Sequence, residues 1–541
     1  MNPGLAARFR QLISRRDWPY LVSALAIAVL IKTLIITSTV CIARDGVDYI
    51  QYAYYLKREP WPTVWRESSH HPLYPLAIAA LHALLYSGQE NNPESWQFAA
   101  QLVNLIASLL MTAALYIAAR HLLGLRIAFG IAVLVNLLPG LTRCCADALS
   151  EALYLAGVSW SLALVVYGNQ VQSYRAYVGS GCACGLAYWT RPEAAVLASS
   201  IVLALWISIF LCQRKQHRIS TAFALISFLA SFILTIAPYC YTIGRLTVKS
   251  SAQYLLRELS ASPSISHGGL ASSSVNLMYF PAEASPFALS LYKLLEEAAQ
   301  GFFYVPLLLV IPGFLMSLKK IRTRPVWLPI VFYIMLHLAV LWRGAMVLGY
   351  VVERYTYPVT LCGLLCAGLA WRYGVVLLTR RSDRSLSDSS WSPRTGLIGS
   401  RFALIGFMAL CAIKILAQPL HQGAAGHREA GYWLQRHMKA EDNLFDPYGL
   451  AAFYSGKILL WTKAYPDGVG TAQGDWWIVL NRDERDPRVR ERIVAFSAVA
   501  EEVQPRLITK ARFATEVVVY HLPGPVHKYS PLRGRYFPRV R

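Results

Sequence analysis

The stretch Cys41-Ile42-Ala43-Arg44-Asp45-Gly46-Val47-Asp48-Tyr49-Ile50 decides how this chain is read, because it follows directly on an apolar run from about Tyr20 to Val40. About 20 apolar residues in helical form cross the roughly 30 Å hydrocarbon core of a bilayer. Asp45 and Asp48 therefore stand just outside a membrane span, at the depth where headgroups meet water. An aromatic, proline-punctuated segment follows them, through Tyr52, Tyr54 and Tyr55 to Ser69-His70-His71-Pro72-Leu73-Tyr74-Pro75. The apolar run exceeds the core of a signal peptide, about 7–15 residues, so it reads as a retained anchor. Two acids and many aromatic rings beside lipid read as the active-site loop of a membrane enzyme.

Of the 541 residues, 55% are hydrophobic and 15% charged, whereas soluble domains carry about 25% charged residues. Further apolar runs of about 17–24 residues begin near Gln101, Arg126, Asp147, Tyr177, Pro192, Ser220, Phe302, Val326, Tyr355 and Phe402. The expected fold is a polytopic α-helical membrane protein with about eleven transmembrane helices and a small C-terminal extracytoplasmic α/β domain. Residues 1–19 form the N-terminal segment, 20–418 the transmembrane body with external loops at 42–98 and 244–300, and 419–541 the C-terminal domain. In that domain the patterns predict a helix at His427–Leu434, an extended stretch at Asn443–Asp446 and a short helix at Tyr448–Tyr454. Strands follow at Trp476–Leu480 and Thr515–Tyr520, around a helix at about 488–503. Lys32, inside the first span, must face protein or snorkel. The apolar stretch Pro75–Leu85, with about 11 residues, is too short to span and reads as a helix lying in the membrane interface.

The formal net charge of +22 would suit nucleic acid if the basic residues shared one soluble face. They fall instead in short loops between apolar runs, so no nucleic-acid partner is expected. Alternate loops hold Arg8, Arg10, Arg15 and Arg16; Arg120 and Arg126; Arg175; Arg214, Lys215 and Arg218; Lys319, Lys320, Arg322 and Arg324; and Arg380, Arg381, Arg384, Arg394 and Arg401. The positive-inside rule then places the N-terminus in the cytoplasm of a multi-pass cell-membrane protein. The opposite face collects the first loop, the turn Arg143–Asp147 with Glu151, the turn Thr190-Arg191-Pro192-Glu193, the Ser-rich 244–300 loop with His267-Gly268-Gly269, the turn from Arg343 to Arg354, and the C-terminal domain. The Ser-rich loop reads equally as a lid or as a linker.

The ten cysteines all precede Gln418 and lie in or beside apolar runs. No pair is spaced like a zinc site or a disulfide framework, and His70-His71 lacks ligand spacing, so no metal ligand is assigned. No cofactor is called for, and a divalent metal is left open.

Glycosyl transfer from a lipid-linked sugar phosphate fits this inventory. The leaving phosphate is already a stable anion, so no second carboxylic acid is needed to protonate it. What is needed is a carboxylate to take the acceptor's proton and cations to hold the phosphate. Asp45 is the first choice for the base and Asp48 the second. Arg354 in Glu353-Arg354-Tyr355-Thr356-Tyr357-Pro358 and Arg191 offer guanidinium groups at the mouths of spans, and Glu193 and Glu353 are candidate partners for them. Each of these has a plainer reading as a solvated loop acid or a headgroup anchor. A secondary transporter and a non-catalytic receptor or scaffold remain the alternatives; the first would show repeated halves and polar mid-membrane breaks, and no internal repeat is found.

The ordered set Arg44-Asp45-Gly46 with Tyr49, His71-Pro72-Leu73-Tyr74-Pro75, Asp147 with Ser150-Glu151, Thr190-Arg191-Pro192-Glu193, and Arg354-Tyr355 with Pro358 resembles the GT-C glycosyltransferases. The nearest likeness is to the protein O-mannosyltransferases of glycosyltransferase family 39 and the bacterial aminoarabinose transferases. The resemblance covers about residues 20–420. It implies a polyprenyl-phosphate sugar donor, a protein, lipid or glycan acceptor, membrane lipid as surroundings, and external catalysis with the first-loop Asp as catalytic carboxylate, here Asp45. On the same resemblance Arg354, Tyr355, Arg191, Glu193, His71 and Tyr74 are the substrate-binding candidates. The family often places Glu directly after that Asp; here Gly46 stands there, which leaves Asp48 as the candidate second acid.

Cysteine placed at position 48 should react with a membrane-impermeant maleimide added outside intact cells. Labelling only after the cytosol is opened would reverse the orientation.

Overall fold

Each predicted span but one falls largely in a helix of the computed structural model, which describes residues 14–211, 215–254, 286–321, 323–384, 393–439, 441–457, 475–482, 506–509 and 514–522. Helix α1 (Trp18–Thr37) leads into the first loop, which folds as α2 (Arg44–Leu56), α3 (Trp61–Glu67) and α4 (Leu73–Leu85). The bundle continues with α5 (Pro93–Leu123), α6 (Leu125–Leu134), α7 (Pro139–Cys144), α8 (Glu151–Val171), α9 (Tyr174–Thr190), α10 (Ala194–Leu211) and α11 (Lys215–Ile243). It is completed by α12 (Pro286–Gly301), α13 (Leu307–Lys320), α14 (Leu328–Leu348), α15 (Tyr357–Arg384) and α16 (Pro393–Leu416). Trp18–Thr37, Pro93–Leu123, Glu151–Val171, Ala194–Leu211, Arg218–Ile243 and Pro325–Leu348 are long and apolar enough to cross a membrane. Central parts of the Ser-rich loop, with His267 to Gly269, and the helix expected at 488–503 lie outside the described residues.

One predicted span is broken. The run beginning near Arg126 forms only the ten residues of α6, and the chain restarts as α7 at Pro139. Proline has no N–H to give to a continuing helix but suits a first helical turn. The Asn136 amide supports the break, donating to the Ala132 carbonyl and to Thr112 Oγ1, each at 2.9 Å. Lys32, fully buried, donates to the Thr142 carbonyl at 2.9 Å near the C-terminal end of α7, where the helix dipole favours a cation. It faces protein, as its position in a span required.

The first loop packs back on the bundle. In α4, Tyr74, Ile78 and His82 are buried against the bundle while Leu84 and Leu85 are exposed, so the helix has one packed side and one open apolar side. His82 stacks on Trp96 of α5 at 3.7 Å between ring centroids. Among the described residues helix α5 is the longest element, at 31 residues. Arg120 at one end pairs with Asp17 at 2.7 Å, and Glu94 at the other pairs with Arg428 at 3.0 Å.

After α16 the chain forms α17 (Ala425–His437), β1 (Asn443–Phe445), α18 (Leu450–Tyr454), β2 (Trp476–Asn481), β3 (Leu507–Ile508) and β4 (Val517–Leu522). The sheet order is β1-β2-β4-β3, with β1 parallel to β2 and the other pairs antiparallel. The final strand begins two residues later than the apolar pattern suggested, because Thr515 N–H is taken by the Gly423 carbonyl.

Among the described residues two large hydrophobic cores form, beside a small cluster of Ile35, Ala146, Ile415 and Leu420. One fills the helical bundle. The other joins Ile42, Val47, Ile50 and Tyr54 of the first loop with Trp96 of α5 and with Ala430, Leu434, Phe453, Tyr454, Val517 and Val519 of the C-terminal region. Helix α2 enters this core at Gly46, where an added Cβ would lie 2.7 Å from the Ala148 carbonyl oxygen. The carboxylate that the resembling family places here has no room.

Gly46→Ala should therefore cost about 1–3 kcal/mol, the usual price of overpacking, and Gly46→Glu more. Both should show as a lower unfolding temperature of the detergent-purified protein.

Candidate active site

Asp45 and Glu151 both lie in the first turn of a helix, α2 and α8, where the dipole stabilises a carboxylate. Arg191 ends α9 in an extended conformation (φ −153°) ahead of Pro192, a residue that disfavours continued helix before it. Arg354 sits in the single 3-10 turn Glu353–Thr356 between α14 and α15. Four separate turns thus deliver these side chains to one place.

There, charges alternate in a chain. Lys249 Nζ is 2.6 Å from Glu193 Oε1, which is 3.4 Å from Arg191 Nη2; Arg191 Nη1 is 2.5 Å from Glu151 Oε1. Arg354 Nε lies 3.6 Å from the same Glu151 oxygen, and Arg354 Nη2 is 2.7 Å from Asp45 Oδ2. The Tyr355 ring is the common floor, 5.3 Å from the Arg191 guanidinium, 5.5 Å from that of Arg354 and 5.6 Å from Lys249 Nζ, within reach of cation–π attraction. Its carbonyl accepts from His337 Nε2 at 2.9 Å.

Burial opposes the charged form of Glu193, yet Lys249 and Arg191 hold its carboxyl well below the usual range. Burial likewise works against the Arg191 and Arg354 cations, and the carboxylates around them more than reverse it, raising both. Glu193, Arg191 and Arg354 are thus held in their charged forms, and shared partners bridge them. The Glu151 side chain is 3% exposed, whereas Asp45 is 41% exposed, so Asp45 is the acid that an incoming molecule can reach.

The cluster borders a narrow cleft lined by residues that include Glu151, Tyr154, Arg191, Glu193, Arg354 and Tyr355. Glu151 Oε2, Glu193 Oε2 and Arg354 Nε are buried there without a hydrogen-bond partner. Buried polar atoms left unpaired cost about 1–3 kcal/mol each, which is the character of a site built for a polar ligand. Among the described residues, no group of three or more His, Cys, Asp or Glu side chains is arranged to hold a metal ion, and the cluster's carboxylates are engaged by arginine and lysine.

The remaining candidates surround this cluster. Asp48 is 56% exposed and stands 3.9 Å from His70 Nε2, apart from the arginines. Tyr74 is fully buried, its hydroxyl donating to the Ala100 carbonyl at 3.2 Å, and its ring meets Tyr49 edge-on at 5.2 Å. Tyr49 in turn bonds Ser150 at 2.9 Å, beside Glu151. Both His71 nitrogens are occupied: Nδ1–H donates to the Tyr188 carbonyl at 2.7 Å and Nε2 accepts from Thr247 Oγ1 at 2.9 Å. Glu353 does not pair with its neighbour Arg354; its carboxyl lies over Gly140, where a Cβ would be 2.0 Å from Oε1, and burial raises its pKa. Lys249 and Tyr154 were not anticipated. Lys249 lies in a long loop, and nothing in its sequence neighbourhood marks it.

The family described as dolichyl-phosphate-mannose-protein mannosyltransferase matches residues 69–256. The chain's architecture is similar to that of ArnT from Cupriavidus metallidurans bound to undecaprenyl phosphate, with a TM-score of 0.59 over 93% of this chain and 98% of that one at 13% identity. It is also similar to the archaeal oligosaccharyltransferase AglB from Archaeoglobus fulgidus in complex with an inhibitory peptide and a dolichol-phosphate, with a TM-score of 0.54 over 82% of this chain and 64% of that one at 12% identity. No curated protein matches by sequence. The chain is an integral membrane protein with the GT-C glycosyltransferase fold. The likeness read from the ordered motifs is borne out, and neither the transporter nor the scaffold reading gains support.

His71 supplies a pH prediction. Burial, only partly offset by its bond to Tyr188, pushes its pKa down to about 3 from an ordinary 6.5. The folded protein keeps it neutral while the unfolded chain protonates it below about 6.5, so stability present above that pH is lost on acidification. The unfolding temperature should fall between pH 7 and pH 4, and less steeply in His71→Asn.

Proposed function

We propose that the protein transfers a sugar from a polyprenyl-phosphate carrier to an acceptor hydroxyl or amine on the extracytoplasmic face of the cell membrane. The observation that carries this reading is the 2.7 Å contact between Asp45 and Arg354, which brings a reachable carboxylate and a phosphate-binding guanidinium to one point beside the membrane. The fold shared with proteins seen holding undecaprenyl phosphate and dolichol-phosphate supports the same class of donor.

In the proposed step, Asp45 takes the proton of the acceptor as the acceptor's lone pair forms a bond to the sugar's anomeric carbon. The anomeric carbon–oxygen bond breaks, and its electron pair leaves with the polyprenyl phosphate. Arg354 and Arg191 hold that phosphate, Arg354 exchanging a carboxylate partner for a phosphoryl oxygen, a ligand that a guanidinium fits equally well. Glu151 stays buried between the two arginines and fixes their spacing. Glu193 and Glu151, each with one unpaired oxygen, can accept from sugar hydroxyls. Residues 20–418 form the transferase body in this reading, and 419–541 an extracytoplasmic accessory domain.

Labelled sugar should pass from synthetic undecaprenyl-phosphate-linked hexoses or pentoses to an envelope fraction when the purified protein is present in liposomes. Asp45→Asn should lower turnover by about 10²–10⁴-fold, the range for losing a general base. Arg354→Gln should lower turnover over donor KM in addition to loosening donor binding. Full activity in Asp45→Asn would remove Asp45 from the mechanism.

A further inference from the structure

Between the end of α1 at Thr37 and the start of α2 at Arg44 the chain is not helical, yet Cys41 and Ile42 are buried. Buried backbone groups must find partners, and here the partners come from more than 370 positions further along the chain, or are held by residues that do. Val40 N–H donates to the Leu420 carbonyl at 3.3 Å, and the Val40 carbonyl accepts from Arg428 Nη1 at 2.8 Å. Ile42 N–H donates at 3.2 Å to the Tyr454 hydroxyl, which itself donates to Gln97 Oε1 at 2.8 Å. Ala43 N–H donates to Asp147 Oδ1 at 3.2 Å, and Asp147 Oδ2 is bound at 2.6 Å by His421 Nε2.

His421 is itself held in a left-handed backbone conformation (φ 50°), which a non-glycine side chain adopts at a cost that its surroundings must offset. Upstream, the Arg143 guanidinium gathers the Ile415, Gln418 and Pro419 carbonyls at 3.2, 2.5 and 3.2 Å, fixing the approach to His421. The shared hydrophobic core adds Ala430, Leu434, Phe453 and Tyr454 against Ile42, Val47 and Ile50.

We infer that Arg428, Tyr454 and His421 are positioning residues for Asp45: the segment after α16 acts as a clasp that sets where the first turn of α2 presents its carboxylate. The inference rests on the function proposed above. A general base must lie within hydrogen-bond reach of the proton it takes, and an error of about 1 Å can cost about 10²-fold. The last gripped residue, Ala43, immediately precedes the first residue of α2 and stands two positions before Asp45. Loss of the clasp therefore acts on the chemical step and leaves the arginines that would hold the donor in place.

The test uses the full-length protein in lipid nanodiscs. Tyr454→Phe removes one hydroxyl and keeps the ring, Arg428→Ala removes the guanidinium, and Arg428→Lys restores a cation and a donor. Arg482→Ala, which breaks an exposed ion pair with Glu516 on the sheet, is the control. Amide hydrogen exchange across residues 38–50 should speed up by about tenfold in Tyr454→Phe and Arg428→Ala, the equivalent of one lost hydrogen bond, and stay at the wild-type rate across residues 345–360. With undecaprenyl-phosphate-linked sugars as donors, turnover at saturation should fall at least about tenfold while donor KM stays within about twofold. Arg428→Lys should recover part of it and Arg482→Ala should match wild type. Wild-type exchange and turnover in both clasp variants would overturn the inference while leaving the proposed reaction intact. A raised KM with unchanged turnover would also overturn it, showing instead a substrate-contacting role. No transfer by the wild-type protein would overturn the proposed reaction and this role with it, and the wild-type arm alone identifies that case.

Discussion

Arg354 bridging Asp45 and Glu151 is the contact on which the rest of the site depends. An arginine that is three-quarters buried needs compensating charge, and it finds one acid fixed in the bundle and one carried by the first loop. The fixed acid, Glu151, is shared with Arg191, which brings Glu193 and Lys249 into the same chain of contacts. The loop-borne acid is more exposed and tied by one contact. Such an asymmetry gives the cluster a rigid end and a yielding end, and in the function proposed above the yielding end is where the phosphate would compete.

This division is matched in the cores. The bundle core holds the rigid end through α8, α9 and α15, while the yielding end belongs to the second core, which α2 shares with the C-terminal sheet and helices. Asp147 stands at the seam. Its side chain serves Ala43, Ala148 and His421, and its carbonyl accepts from the Asn104 amide. In His421 burial opposes the charged form, and the bond and charge of Asp147 outweigh it and raise the pKa.

Much of this could be read from the residues, and the reason differs by feature. Membrane spans are written in length and apolarity, so the long apolar helices were legible, whereas α12 (Pro286–Gly301) fell in a stretch read as loop and α3 carried no such signal; the break in the run near Arg126 was marked only by Pro139 and Asn136, and a hydropathy pattern averages over both. Arg191, Glu193 and Arg354 were legible as candidates because charged residues at the mouths of spans are few, and Tyr355 because it adjoins Arg354 in its motif. Glu151 was seen in its motif but not as the hub, since its burial between two arginines depends on how four turns meet. Lys249 carried no local mark at all. The clasp was equally silent: hydrogen bonds from Arg428 and Tyr454 to backbone atoms near residue 40 leave no spacing or composition to detect.

Helix α5 has a consequence beyond packing. At 31 residues it is about 46 Å long, some 16 Å more than the hydrocarbon layer is thick, and it has no internal proline or glycine at which to bend. It behaves as a mast. One foot is tied to the start of α1 through Arg120 and Asp17, and the head carries Glu94, Trp96 and Gln97 up among residues 428–454. The residues that grip the stretch before α2 and those that anchor the start of α1 are thus spaced by one unbroken helix, whose length fixes the distance between them.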